Sequence, residues 1–447
     1  MKKAYIVTGL LFGDENKGGM VNYLTKQHGA TLNVRHSGGS QCAHNVTLAD
    51  KHHTFRQIGS GSFNPGVATL YGKHALFDPM IYSVELQKMV GLEGQDFLER
   101  KFYVHEQTQV ITVFHRVTNR LKELARSNRH GSCGQGIGEA RNIAINHPEF
   151  ELTVGDFLGN NGITLATIED LRAFLLSTYI EPILPQLPCT EAVKQELLNF
   201  RALDKSGNGP ARVAFEKISE VINNNVIVVN NIEQKNLFDE HETVIFEGNQ
   251  GVLLDQDYGF HPHNTWTDTT SGCAWRMMDE SGVNPEVTEV GVMRSFMTRH
   301  GAGPLPSECP ILTQALKDFN NPTGKWQGPF RVGQLDLLLL RYAMQVNKGV
   351  DEIAISHMDW VDAVACSPVD SYKSRKDPLK SVDSLPVQKF PHYLKQCELA
   401  DELGSYYPAS SVKDLSSEAL ISLVTDLFKT PVRYTSNGPL DSDITTR

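Results

Sequence analysis

Several short segments of this 447-residue chain carry residue types and spacings that can do chemistry on phosphates. The first is Gly13-Asp14-Glu15-Asn16-Lys17-Gly18-Gly19. Its glycines let backbone N–H groups approach phosphate oxygens, and the start of a following helix favours an anion. Lys17 can meet a terminal phosphate, while Asp14 can hold a magnesium ion or take a proton. The spacing fails the Walker A pattern, and a plain turn leading into a helix would look similar. The second is Ser37-Gly38-Gly39-Ser40-Gln41-Cys42-Ala43-His44-Asn45. It pairs flexible backbone with one titratable group, and His44 is suited to donate to a phosphoryl oxygen near neutral pH.

Two further glycine-dense stretches follow, Gly131-Ser132-Cys133-Gly134-Gln135-Gly136-Ile137-Gly138 and Gly248-Asn249-Gln250-Gly251. Such density marks either close approach of backbone to a ligand or tight turns. The latter leads on to Thr265-Trp266-Thr267-Asp268-Thr269-Thr270, a hydroxyl-rich run able to contact phosphate. A cationic turn spans Thr298-Arg299-His300-Gly301-Ala302-Gly303-Pro304, and Ser356-His357-Met358-Asp359 places an acid where it can accept from the N–H groups of a base.

The elements that must position these residues are those of an α/β chain. Ala4 to Val7 reads as a strand, Gly9 to Asn16 as a loop and Lys17 to Lys26 as a helix. The spacing predicts helices over Val110 to Arg126, Thr167 to Tyr179, Thr190 to Arg201 with Thr190 as N-cap, and Ser416 to Lys429. Asn225 to Asn230, Thr243 to Glu247 and Glu352 to Ser356 are short β-rich runs. The last two lead into polar loops, as strands of an open sheet do where ligands bind beyond their carboxyl ends. Ser367 to Lys395, rich in Lys, Ser, Asp and Pro, reads as an exposed excursion. We expect one large α/β unit over 1–447, with a mainly helical insertion over 90–240 and the excursion over 367–395.

Composition narrows the function classes. With 52 acidic against 42 basic residues, the net charge of −10 argues against a polynucleotide binder. No apolar run approaches the roughly 20 residues that span a bilayer, so no membrane role is expected. The start, MKKAYIVTGLLFGDE, reads as a first strand and not a signal peptide, which points to the cytoplasm. Seven scattered cysteines with no C-x-x-C pair are expected to be reduced thiols. Neither His52-His53 nor His261-Pro262-His263 has the spacing of a histidine metal site on a helix.

Taken in order, GDENKGG, GGSQCAH, GSCGQGIGE, EGNQGVLLD, TRHGAGPLPSE, SHMD and TSNGPLD resemble the motifs of the adenylosuccinate synthetase family, from about residue 4 to residue 441. The resemblance implies a large, mostly parallel central sheet with helices on both faces and subdomain insertions, related to P-loop folds. It implies a carbon–nitrogen ligase that joins L-aspartate to C6 of IMP, with nucleoside triphosphate hydrolysis and a 6-phosphoryl intermediate. By match, Asp14, His44 and Lys17 would be catalytic. Gln41, Ser132, Gln250 and Thr265 would hold the purine monophosphate. Gly13, Glu15, Asn16, Lys17, Gly18, Asp359, Ser436 and Gly438 would hold the triphosphate. Thr323, Gly324 and Arg331 would form the aspartate side, and Mg2+ would sit on Asp14 and the backbone of Ala43. A homodimer is implied as well.

The departures from the family pattern bear on substrate identity. Asn16 stands for a loop glycine and Gly19 for the lysine ending that loop. Gln41 replaces an asparagine. Gln135 replaces an arginine that in the family reaches a neighbouring subunit's nucleotide, which removes a phosphate-facing charge. His357 replaces the lysine of the base motif, leaving GTP and ATP both open as donors. Changed residues on the purine side also leave GMP or dGMP open as acceptors, as in the branch that makes 2-aminoadenylosuccinate. A non-catalytic nucleotide-binding protein on the same fold is the alternative from another class.

Overall fold

The computed structural model describes residues 1–127, 129–159, 161–201, 207, 209–316, 328–364, 366–388, 392–412 and 415–447. Its centre is a sheet of ten strands in the order Ile444–Thr446, Val432–Ser436, Glu352–Ser356, Glu286–Arg294, Lys3–Gly9, Thr243–Glu247, Leu32–Arg35, Ala68–Tyr71, Phe102–His105 and Ile227–Val229. Every neighbouring pair is parallel except the last two strands of the chain. Parallel strands buried on both faces read as unbroken apolar runs, which is how YIV and TVIF read.

Side-chain alternation sorts those runs onto two faces. Ala4, Ile6, Val244 and Phe246 share one cluster with Leu237 and Phe238 of the helix Asn231–Glu240 and Met277 of Gly272–Glu280. Val7, Ile245 and Val290 share the other with Met20, Val21 and Leu24 of the helix Lys17–His28. The sheet is therefore covered by helices on both sides. The chain runs from Lys3–Gly9 across to Leu32–Arg35, whereas Glu286–Arg294 and Glu352–Ser356 extend the other edge. That reversal opens a crevice beyond the carboxyl ends of the central strands.

Most expected elements are present, with Thr243–Glu247 and Glu352–Ser356 at their expected bounds. Thr190 does receive the amide of Val193 at 3.4 Å, and Ser416 caps Ser417–Phe428 through Ala419 N. The stretch 90–240 is not helical throughout: Phe102–His105 and Ile227–Val229 form one edge of the main sheet. The stretch 367–395 is mostly exposed but carries a strand of its own. Val369–Ser374 is a strand between Ser381–Val382 and Tyr406–Ser411, and its Tyr372 is fully buried in the largest core. The intervening Asp, Ser and Lys side chains hide that alternation in the sequence. Among the described residues no helix is long and apolar enough to cross a membrane.

His115 illustrates how burial constrains charge here. It lies in the first turn of Val113–Ala125, where its Nδ1 accepts the backbone N–H of Thr112 at 3.1 Å. Burial, with Arg116 adding to it, pushes its pKa down to about 3. The unfolded chain therefore takes up a proton below about pH 6.5 that the folded chain refuses, so acid costs stability. Relative to His115→Asn, whose Oδ1 can take the same amide, the wild type should lose about 2 kcal/mol of stability between about pH 6.5 and about pH 5. Urea denaturation of both proteins at the two pH values checks this; a constant difference would contradict it.

Candidate active site

Four neighbouring strands end at the crevice, and the last residue of one of them organises it. Glu247 is fully buried and ends Thr243–Glu247. Its Oε1 accepts from Arg35 Nη1 at 3.1 Å, His44 Nδ1 at 2.5 Å and Ser60 Oγ at 2.5 Å, and its Oε2 accepts from Ser60 N at 2.9 Å. Burial opposes ionisation, but Arg35, His44 and Ser60 outweigh it and hold the carboxyl down at about 2. An ionised carboxylate only accepts, so Nδ1 of His44 carries the proton. Burial pushes His44 down to about 4, against the pull of Glu247. In this arrangement its Nε2 is a bare acceptor, with no partner among the described residues.

The loop after the first strand is built around a second buried charge pair. Glu15 Oε1 accepts the backbone N–H groups of Leu11 at 3.0 Å and Gly13 at 2.7 Å. Its Oε2 takes Lys17 Nζ at 2.7 Å, and the same ammonium donates to Gly13 O at 2.7 Å. Lys17 thus fastens the loop from inside and does not face an open ligand space. Glycines make room for it: a Cβ on Gly251 would lie 2.2 Å from Leu11 O and 2.8 Å from Glu15 Oε1. Asn16 adopts a left-handed conformation, φ 73°, and its amide oxygen lies 2.4 Å from where a Gly19 Cβ would be. The residues at 16 and 19, both departures from the family loop, therefore fit each other. Asp14 keeps an open carboxylate, 3.5 Å from His300 Nε2, while its carbonyl accepts from Arg294 Nε.

These loops surround a cavity of about 620 Å³. Gly13, Asp14, Gln41, Ala43, His44, Ser132, Gln250 and Thr265 all lie on its wall, drawn from loops far apart in sequence. Gln41 Nε2 donates to Gln250 Oε1 across it at 3.4 Å, and Ser132 Oγ donates to Asn119 Oδ1 at 2.9 Å. Glu15, Asn16, Lys17, Gly18 and Gln135 do not line it, and Glu15 and Lys17 are buried. Asp359, Ser436 and Gly438 lie elsewhere, beyond the ends of the paired strands Glu352–Ser356 and Val432–Ser436. Ser436 Oγ donates to Gly438 O at 2.8 Å, and burial raises Asp359 above the usual carboxylate range, with Asp443 adding to it.

The aspartate-side residues fare differently. Thr323 and Gly324 lie outside the described residues. Arg331 lines a neighbouring cavity, where its guanidinium donates to Gly301 O at 2.9 Å, Gly303 O at 2.7 Å and Glu308 Oε2 at 2.7 Å. It shapes the 301–303 turn. Residues the sequence reading did not single out include Glu247, Arg35, Ser60 and Arg56. Glu247 lay in plain view at the head of EGNQG, but a strand-end acid carries no local sign that three donors will converge on it.

The donor set suits a magnesium ion. Among the described residues there is no cluster of three His, Cys, Asp or Glu side chains for a self-sufficient metal cage. Mg2+ typically uses one or two carboxylates plus substrate phosphates. Asp14 supplies such a carboxylate on the cavity wall, beside Ala43.

Comparison with known proteins bears on what this cavity serves. The family profile described as adenylosuccinate synthetase matches residues 6–445. The adenylosuccinate synthetase of Koribacter versatilis is 30% identical over 86% of this chain and 81% of its own length. That of Chlorobium limicola is 28% identical over 98% of this chain and 96% of its own. Among solved structures, the fully ligated adenylosuccinate synthetase of Plasmodium falciparum superposes with a TM-score of 0.75 at 20% identity, covering 99% of both chains. The succinoaminodeoxyadenylate synthetase of cyanophage S-2L, bound to dGMP and dATP as an energy donor, gives 0.57 at 16% identity over 100% of this chain and 95% of that one.

Two substitutions test the geometry. Glu247→Gln should destabilise the chain by about 3–5 kcal/mol, because it strands the buried Arg35 guanidinium; a midpoint in urea equal to the wild type's would refute the hub. Gly251→Ala forces a methyl against Leu11 O, which cannot move without the loop. It should weaken triphosphate binding at least about tenfold, read by calorimetry with the intact protein, and unchanged binding would mean that the loop plays no part.

Proposed function

The chain belongs to the adenylosuccinate synthetase family and is a carbon–nitrogen ligase of that type, and from this premise we propose that it joins L-aspartate to C6 of IMP at the expense of GTP or ATP. The observation that supports this most directly is that Asp14 and His44, from different loops, line one cavity with Gln41, Ser132, Gln250 and Thr265.

The side chains divide the work as follows. Asp14 takes the N1 proton of the 6-oxopurine, which makes O6 a nucleophile toward the γ-phosphorus. The O6–P bond forms as the bond to the β-phosphate oxygen breaks, releasing the nucleoside diphosphate. His44 meets the transferred phosphoryl group through Nε2. The arriving negative charge favours a second proton on its imidazole, and Glu247 behind Nδ1 holds the resulting cation in place. The amino group of L-aspartate then attacks C6, the C6–O6 bond breaks and phosphate leaves. Asp14 and the Ala43 carbonyl would hold Mg2+, which when bound neutralises charge on the triphosphate oxygens.

A second reading keeps the chemistry and changes the acceptor to GMP or dGMP. It is favoured by the purine-side departures, above all Gln41 in contact with Gln250. A 2-amino group is a spectator to loss of the N1 proton and attack by O6, so Asp14 and His44 serve either acceptor.

Phosphate release from the purified protein with Mg2+ and L-aspartate, crossing IMP, GMP and dGMP with GTP and ATP, decides between them. We expect turnover with IMP. Turnover confined to GMP or dGMP would establish the second reading, and silence in every mixture would falsify both. Asp14→Asn and His44→Ala should each lower kcat by about 10²–10⁴-fold with the fold intact by circular dichroism.

A further inference from the structure

The cations on the cavity wall are not equivalent. Lys122 is paired with Glu139 at 2.9 Å and Arg126 with Glu123 at 3.0 Å. Arg299 is buried and spends its donors on the carbonyls of Ala302, Pro304 and His263, at 3.2, 2.9 and 2.6 Å. Arg56 stands apart. Its guanidinium has a single contact, Nη1 to Ser40 O at 3.1 Å, and no carboxylate within ion-pair distance among the described residues.

Arg56 is nonetheless firmly placed. The buried carboxylate of Glu85 clamps the backbone beneath it, accepting Arg56 N at 2.8 Å and Gln57 N at 2.7 Å. From that anchor the side chain reaches the Ser40–Gln41 loop on one side. On the other it comes near Cys133, whose thiol burial pushes up and Arg56 only partly pulls back. Cys133 follows Ser132 in a loop whose Gly131, Gly134 and Gly136 all have positive φ, at 84°, 71° and 80°. A guanidinium, a serine hydroxyl and a glycine-turned backbone on one wall form a recognition set for a phosphate.

We propose that Arg56 binds the 5′-phosphate of the acceptor nucleotide and is this chain's own charge for it, where Gln135 supplies none and does not line the cavity. This rests on the ligase reading above, but its binding arm does not depend on turnover. Carboxylates of L-aspartate are the competing ligand for a lone arginine. Arg56 donates to the Ser40–Gln41 loop and acts on Cys133, the residue after Ser132, and that favours the phosphate.

The test uses the full-length protein, Arg56→Gln, which removes the charge but keeps a shorter polar donor, and Arg56→Lys, which keeps the charge. Calorimetry should show IMP or GMP binding weakened about 10–100-fold in Arg56→Gln and partly restored in Arg56→Lys, with inosine and guanosine binding unaltered. In turnover, the KM of the monophosphate should rise by the same factor while those of L-aspartate and the triphosphate stay within about twofold. A rise in the aspartate KM instead, equal losses for nucleoside and monophosphate, or no change would each overturn the assignment. So would a wild-type chain that binds no monophosphate. Wild-type binding without turnover in any mixture would sink the ligase reading while leaving Arg56 its phosphate.

Discussion

Glu247 closes a central strand with its carboxylate sealed from solvent and a guanidinium, an imidazole, a hydroxyl and a backbone amide aimed at it. Those donors come from the end of Leu32–Arg35, the loop carrying His44 and the turn at Ser60. A buried ion pair contributes little to stability compared with an apolar filling of the same volume. What it imposes is geometry, because each donor must arrive at one fixed point or leave a charge unmatched. The strand pairing sets that point: Glu247 lies opposite Val7 and Arg35 in the parallel register, two residues before the first strand ends at Gly9. The hub thus ties His44 to the same strand ends from which the Asp14 loop departs.

That loop repeats the device on a smaller scale. Glu15 and Lys17 neutralise each other inside the turn, and the remaining lone pairs of Glu15 collect amides that no helix or sheet would satisfy. A lysine used in this way fixes the curve of the backbone through Gly13 O and Glu15. The pairing of Asn16 with Gly19 has the same logic. An amide placed where the family carries a glycine needs free space one helical turn on, and the residue there has no side chain to block it. Two departures that look like erosion in a one-dimensional reading are a single compensated change in three.

Sheet and helices were largely readable because their signals are local: apolar runs of strand length, periodic faces and N-caps such as Thr190 and Ser416. The strand at Val369–Ser374 was not, since Asp370, Ser371 and Lys373 interrupt its buried Val369, Tyr372 and Ser374 and leave no apolar run. For the site, Asp14, His44, Gln41, Ser132, Gln250 and Thr265, singled out by motif order across more than two hundred positions of sequence, line one cavity. Orientation is what motif order leaves out. A motif tells which residues sit near the ligand path, but whether Lys17 or Arg331 points into it depends on what else demands their charge. Glu15 claims the first, and Glu308 with two loop carbonyls claims the second. Neither competitor can be weighed without distances.

Charge distribution carries the argument one step further. The chain as a whole bears a net charge of −10, yet the cavity wall has four cations, Arg56, Lys122, Arg126 and Arg299, against the carboxylates of Asp14 and Glu139. The pair Lys122–Glu139 cancels, and Arg126 is matched by Glu123 just behind it. Arg299, although burial and the nearby Arg331 push it down to about 9, stays charged at neutral pH. What remains is a positive interior within an acidic surface. Such an arrangement repels polyanions at long range, where the net charge dominates. It also attracts small anions once they enter a low-dielectric cleft that focuses the field. Its only open carboxylate on that wall is Asp14, held beside His300.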